Sequence, residues 1–117
     1  MIRERNELGA ISVESAVYTN IAGFAATQCF GVKGMAVRSV TDGLVHLLRR
    51  ESMSKGVHVT FNDDASINID LHIMVDRGIN LNAICSSIIS EVTYHVTKIT
   101  GTAVRTVNVF VDSIDAQ

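Results

Sequence analysis

Two alternating runs around one polar turn constrain this chain more than any other feature. Val57, Val59 and Phe61 alternate with His58 and Thr60. Ile67, Ile69, Leu71, Ile73 and Val75 alternate with Asn68, Asp70, His72 and Met74. Between the runs stands Asn62-Asp63-Asp64-Ala65-Ser66, a set of turn-forming residues. Period two sends successive side chains to opposite faces, so each run is a strand with one apolar face. The short turn makes them an antiparallel hairpin.

The next segment changes period. Leu81, Ile84, Cys85, Ile88, Ile89, Val92, Val96 and Ile99 recur at three and four residues, the stripe of an amphipathic helix. Asn80 is placed to cap its start, and Gly101 stands where a helix C′ glycine belongs. A last strand is expected from Val104 to Val111, with Val107, Val109 and Val111 on one face. A polar tail should follow from Asp112.

The first half is less regular. Residues 1–7 are charged and expected to be flexible. A short strand over 8–13 leads into a helix over about 14–29, with Ser12 as its cap. Ala16, Val17, Ile21 and Ala25 form its apolar side. Gly31-Val32-Lys33-Gly34 breaks that helix, and Met35 to Val40 reads as strand. Asp42 then starts a short second helix carrying Leu44, Val45, Leu47 and Leu48, and Ser52 to Gly56 is a loop.

The expected order is β-α-β-α-β-β-α-β. It implies an α+β domain with a mostly antiparallel sheet and helices packed on one face. With 117 residues, the chain has the length of one domain, spanning 8–114 with a 115–117 tail. Hydrophobic residues make up 47% and charged ones 19%, a folded rather than a disordered composition. The net charge of −2 argues against broad phosphate-driven binding of nucleic acid. The two cysteines, Cys29 and Cys85, fall at apolar helix positions and read as reduced core thiols. The start lacks the apolar run of a signal peptide, and no run of about 18 apolar residues occurs, so a cytoplasmic location is expected.

Few residues offer chemistry. A turn centred near residue 64 would set His58 opposite Asp70, with His72 on the same face. These three are the candidates for a metal, against a plain polar sheet face. His95 lies one helical turn after Glu91, a surface pair. No nucleophile elbow, phosphate loop or dinucleotide fingerprint is present, so neither catalysis nor a cofactor is expected. The Gly31–Gly34 stretch has the spacing of a backbone-clamping loop of RNA-binding modules. Lys33, Arg49 and Arg50 would supply its charge, but the strand-like segment after it does not fit such a loop. The sheet face away from the helices should show His72, Met74, Asn108 and Phe110, two apolar anchors in a polar rim that suit protein contact.

The chain resembles the alkaline shock protein family (the Asp/Gls type) of mainly Gram-positive bacteria. The likeness runs over about residues 8–114. It rests on Gly9-Ala-Ile-Ser-Val13, Gly31-Val-Lys-Gly-Met35, Lys55-Gly-Val-His-Val59, Ile67-Asn-Ile-Asp-Leu71, Gly78-Ile-Asn80, Thr100-Gly-Thr-Ala-Val104 and Val107-Asn-Val109. Arg77 departs from the aromatic residue expected before the glycine, which points to a different contact there.

The resemblance implies a non-enzymatic cytoplasmic protein of cell-envelope homeostasis and stress response. Such a protein associates with itself, or sits at the membrane through an integral membrane partner. Some small members are linked to a kinase of the dihydroxyacetone or fatty-acid type. The expectation is therefore a scaffold that self-associates and docks a membrane or kinase partner. The alternative is an RNA-binding adaptor using Gly31–Gly34 and Arg49/Arg50.

Overall fold

A computed structural model of the chain describes residues 2–6, 8–39 and 43–115. Its elements are β1 (Ile2–Asn6), β2 (Gly9–Val13), α1 (Ser15–Thr27), β3 (Val32–Arg38) and β4 (Val45–Leu47). A 3₁₀ segment (Arg50–Gly56), β5 (Val57–Phe61), β6 (Ile67–Val75), α2 (Leu81–Thr100) and β7 (Val104–Ile114) follow. The α+β class, the mostly antiparallel sheet and the single helical face are as the sequence implies.

β6 organises the fold. β5 pairs antiparallel along its first half and β3 along its second, while β7 runs parallel beside its whole length. β4 closes the sheet beyond β3. The alternation of β6 appears directly in its burial: Ile67, Ile69, Leu71, Ile73 and Val75 are all fully buried, and the residues between them are not. Each such side chain contributes roughly 1.5–3 kcal/mol of transfer free energy. They pack against Tyr18, Ala22 and Ala26 of α1 and Ile88, Val92 and Val96 of α2. Both helices therefore cover one face, and the other is open.

α2 follows its signals closely. The Asn80 side chain accepts a hydrogen bond from the Ala83 amide at 3.1 Å. Gly101 ends the helix at φ +75°, a left-handed conformation that glycine adopts without penalty. Behind it, the buried Thr102 Oγ1 lies 2.7 Å from the Tyr18 hydroxyl, tying α1 to the corner between α2 and β7.

Four expectations are corrected. The second helix is absent among the described residues: Val45–Leu47 is the edge strand β4, and Asp42, its expected cap, lies outside them. A run of leucine and valine suits either element, and here the bare edge of β3 decides. Leu48 donates to the Met35 carbonyl at 2.8 Å and Ser39 to that of Leu44 at 2.8 Å. Gly34 lies under Leu47 of this strand: a Cβ there would stand 2.9 Å from Leu47 Cδ1, the tip of a flexible side chain. Ser12 does not cap α1; it pairs with Arg3 in β2, and Glu14 takes the cap position without a side-chain bond. Ile2–Asn6, expected to be flexible, forms a two-stranded hairpin with β2. β7 also outruns its expected end, absorbing Asp112 to Ile114 from the polar tail.

Candidate functional site: the open face of the sheet

The open face is built by the polar positions of β5, β6 and β7. The register sets His58 beside Asp70, Asp70 beside Asn108, and His72 beside Phe110. Each carboxylate on this face is used within the sheet. Asn108 Nδ2 donates to Asp70 Oδ1 at 2.9 Å. Asp112 Oδ2 lies 3.0 Å from His72 Nδ1. The Phe110 ring stacks on the His72 imidazole, centroids 4.8 Å apart and planes 13° from parallel. The His58 ring meets the other side of this group edge-on, at 5.6 Å from His72. Met74 stands one alternation beyond His72, and Phe110 remains 44% exposed.

The four residues expected at a protein contact thus fall on one face, and three of them are held by neighbours across the strands. The sequence reading missed Asp112, which fixes the His72 ring. The signal was available: Asn108, Phe110 and Asp112 continue one alternation.

His58, Asp70 and His72 do share this face, but Asp70 is engaged by Asn108 and His72 by Asp112. Among the described residues, no three His, Cys, Asp or Glu side chains converge as a metal site requires. Asp64 serves its turn, accepting from the amide and the hydroxyl of Ser66. Those bonds hold its carboxyl below the usual carboxylate range. His95 Nε2 lies 3.2 Å from Glu91 Oε2, the helical pair that the spacing implies. Both cysteines are free thiols, and burial pushes that of Cys85 up.

The Gly31–Gly34 stretch is not a loop between helices. Gly31 makes the turn at φ +93°, and β3 begins at Val32, so Gly34 lies inside a strand. Lys33 is ion-paired with Asp115; the hydrogen bond to that carboxylate raises its pKa above the ordinary lysine value, with its charge and Asp76 adding to the effect. Lys33 and Arg50 line a hollow of about 230 Å3 with Phe24, Met35, Leu48 and Met53. Arg49 precedes the 3₁₀ segment outside that hollow.

Residues 3–116 match the alkaline shock protein 23 family, described by its cell envelope-related function. The chain belongs to this family. Among its relatives, the uncharacterized protein YloU of Bacillus subtilis is 34% identical over 114 residues, covering 97% of this chain and 94% of YloU. The uncharacterized protein Spy1614 of Streptococcus pyogenes serotype M6 is 32% identical over 107 residues, 91% of this chain and 88% of that protein. YqhY of Bacillus subtilis, also uncharacterized, is 27% identical over 114 residues, 97% and 83% of the two chains. No solved structure matches the chain. Membership of the alkaline shock protein 23 family brings a cell envelope-related role to the fold described above. No helix among the described residues is long and apolar enough to cross a membrane.

Proposed function

We propose that this member of the family is a non-catalytic scaffold of cell-envelope homeostasis and stress response, working by self-association and by docking a membrane-bound or kinase partner. It acts from the cytoplasm and reaches the membrane through that partner. The observation that carries the reading is the Phe110 ring. It is half exposed on a sheet face, yet held flat on His72, which Asp112 holds in turn.

An aromatic anchor fixed before contact loses little side-chain entropy on binding. Met74, one alternation beyond His72 on β6, and the rim of Asn108, Asp70 and Thr60 give the face the mixture of apolar and polar groups that protein contacts use. The alkaline shock protein 23 family's cell envelope-related role supplies the setting.

Sedimentation velocity of the wild-type chain and of Phe110→Asp tests the reading. A concentration-dependent shift toward larger species is expected for the wild type and a loss of that shift for the variant, at equal helical content by circular dichroism. Equal association of the two chains would remove this face from the account.

A further inference from the structure

β7 is an edge of the five-stranded sheet, and among the described residues no strand pairs with its outer side. At 11 residues it is also the longest strand described. The direction of its peptide groups follows from strand parity. Asn62 donates to the Ser66 carbonyl at 2.9 Å, which turns residues 66, 68 and 70 toward β5. Ile67, Ile69, Leu71 and Ile73 then address β7, as the bond from the Ile67 amide to the Ala103 carbonyl at 3.0 Å illustrates. They meet the amides and carbonyls of Thr106, Asn108 and Phe110, which flank their register partners. The N–H and C=O groups of Val107, Val109 and Val111 therefore point outward, away from β6.

A row of outward donors and acceptors is a template for another strand, and sheets ordinarily guard such edges with proline, lysine or short length. β7 has no proline or lysine and is not short; its bulges, which also guard edges, lie at its two ends. Two register shifts, leaving Arg105 and Asp112 as extra residues, bracket a regular stretch from Thr106 to Val111.

We propose that β7 pairs antiparallel with β7 of a second copy about a two-fold axis, joining the two sheets edge to edge. The proposal rests on the self-association reading above and specifies its geometry. Three features favour a second copy as the occupant. The regular stretch is self-complementary: an axis at Asn108 opposes Val107 to Val109, and an axis at Val109 opposes Val107 to Val111. Charge is complementary in register too: either axis brings Arg105 of one copy within one residue of the second copy's Asp112, which lies 3.0 Å from its own His72, at both ends of the contact. The edge is also continuous with the open face, because Phe110 then stands beside the second copy's Thr106 or Asn108.

Hydrogen exchange of the full-length chain, at dilute and concentrated protein with sedimentation in parallel, tests this. The amides of Val107, Val109 and Val111 are expected to become protected as the chain associates. Those of Asn108 and Phe110, bonded to β6, should be protected throughout. Val109→Pro deletes one outward N–H and no bond to β6, and should weaken association by roughly tenfold. Should that variant fail to fold, charge provides a second route: Arg105→Asp sets like charges beside the second copy's Asp112 and should weaken association at unchanged helical content. Association with the three valine amides still exchanging freely would overturn the edge geometry while leaving self-association standing. A monomer at every concentration would overturn both.

Discussion

The Phe110 ring lies flat on the His72 imidazole, 4.8 Å between centroids, and the same imidazole is held by Asp112 at 3.0 Å. One aromatic side chain on a solvent-facing sheet is thus held in place before any partner arrives. The arrangement makes a specific expectation for Asp112→Asn. Charge on the face falls, but the shape persists. Association should change by less than for Phe110→Asp, and sedimentation of the two variants side by side measures the difference.

Tyr18 and Thr102 form the buried hydrogen bond that joins α1 to the end of α2. Tyr18→Phe leaves the Thr102 hydroxyl without its partner, which should cost about 1–3 kcal/mol. Adding Thr102→Val removes the orphaned hydroxyl and should recover part of that loss. Urea unfolding of the two single variants and the double variant gives the coupling. Strict additivity would mean that the bond contributes nothing.

Gly31 holds the turn into β3 with no room for a side chain. Its φ is +93°, and a Cβ would stand 2.9 Å from Ile84 Cδ1 and 3.0 Å from Ile79 Cγ2. Gly31→Ala combines left-handed strain with overpacking, together about 2–4 kcal/mol. Gly78→Ala, at φ +83° with open space around it, carries the strain alone and should cost less. Thermal unfolding of both separates the two causes.

Asp64 links stability to pH through the turn of the β5–β6 hairpin. The Ser66 hydroxyl, then the Ser66 amide, lowers its pKa in the folded chain. A carboxyl depressed on folding adds stability above its unfolded pKa, and that stability is lost as pH falls through the folded value. Asp64→Ala should therefore unfold at a lower temperature than wild type at pH 7. The gap should narrow as pH drops below the ordinary carboxylate range. Tm measured from pH 7 downward follows it, and a constant gap would detach the effect from this ionisation.

The hairpin was legible to the residue. Alternation in two runs, with a turn centred on Asp64, fixes His58 opposite Asp70, and that pair stands in the register. The partners of Asp70 and His72 were not legible. They come from β7, whose register against β6 is set across the 20 residues of α2 and not by a local turn. What read as a His-Asp-His cluster is instead two cross-strand pairs, Asp70 with Asn108 and His72 with Asp112. β4 was missed for a related reason. Leu44 to Leu48 has no decisive period, and the unpaired edge of β3 selects strand over helix.

The central claim is that the face carrying Phe110 is where this chain meets other proteins. The most direct measurement recovers the tagged wild type and tagged Phe110→Asp from gently solubilised cells, with bound proteins identified and RNA quantified in each eluate. The account expects the wild type to carry a membrane protein, a kinase or untagged copies of itself, and the variant to lose them. Identical protein sets from the two chains, or RNA well above background with no protein partner, would contradict it.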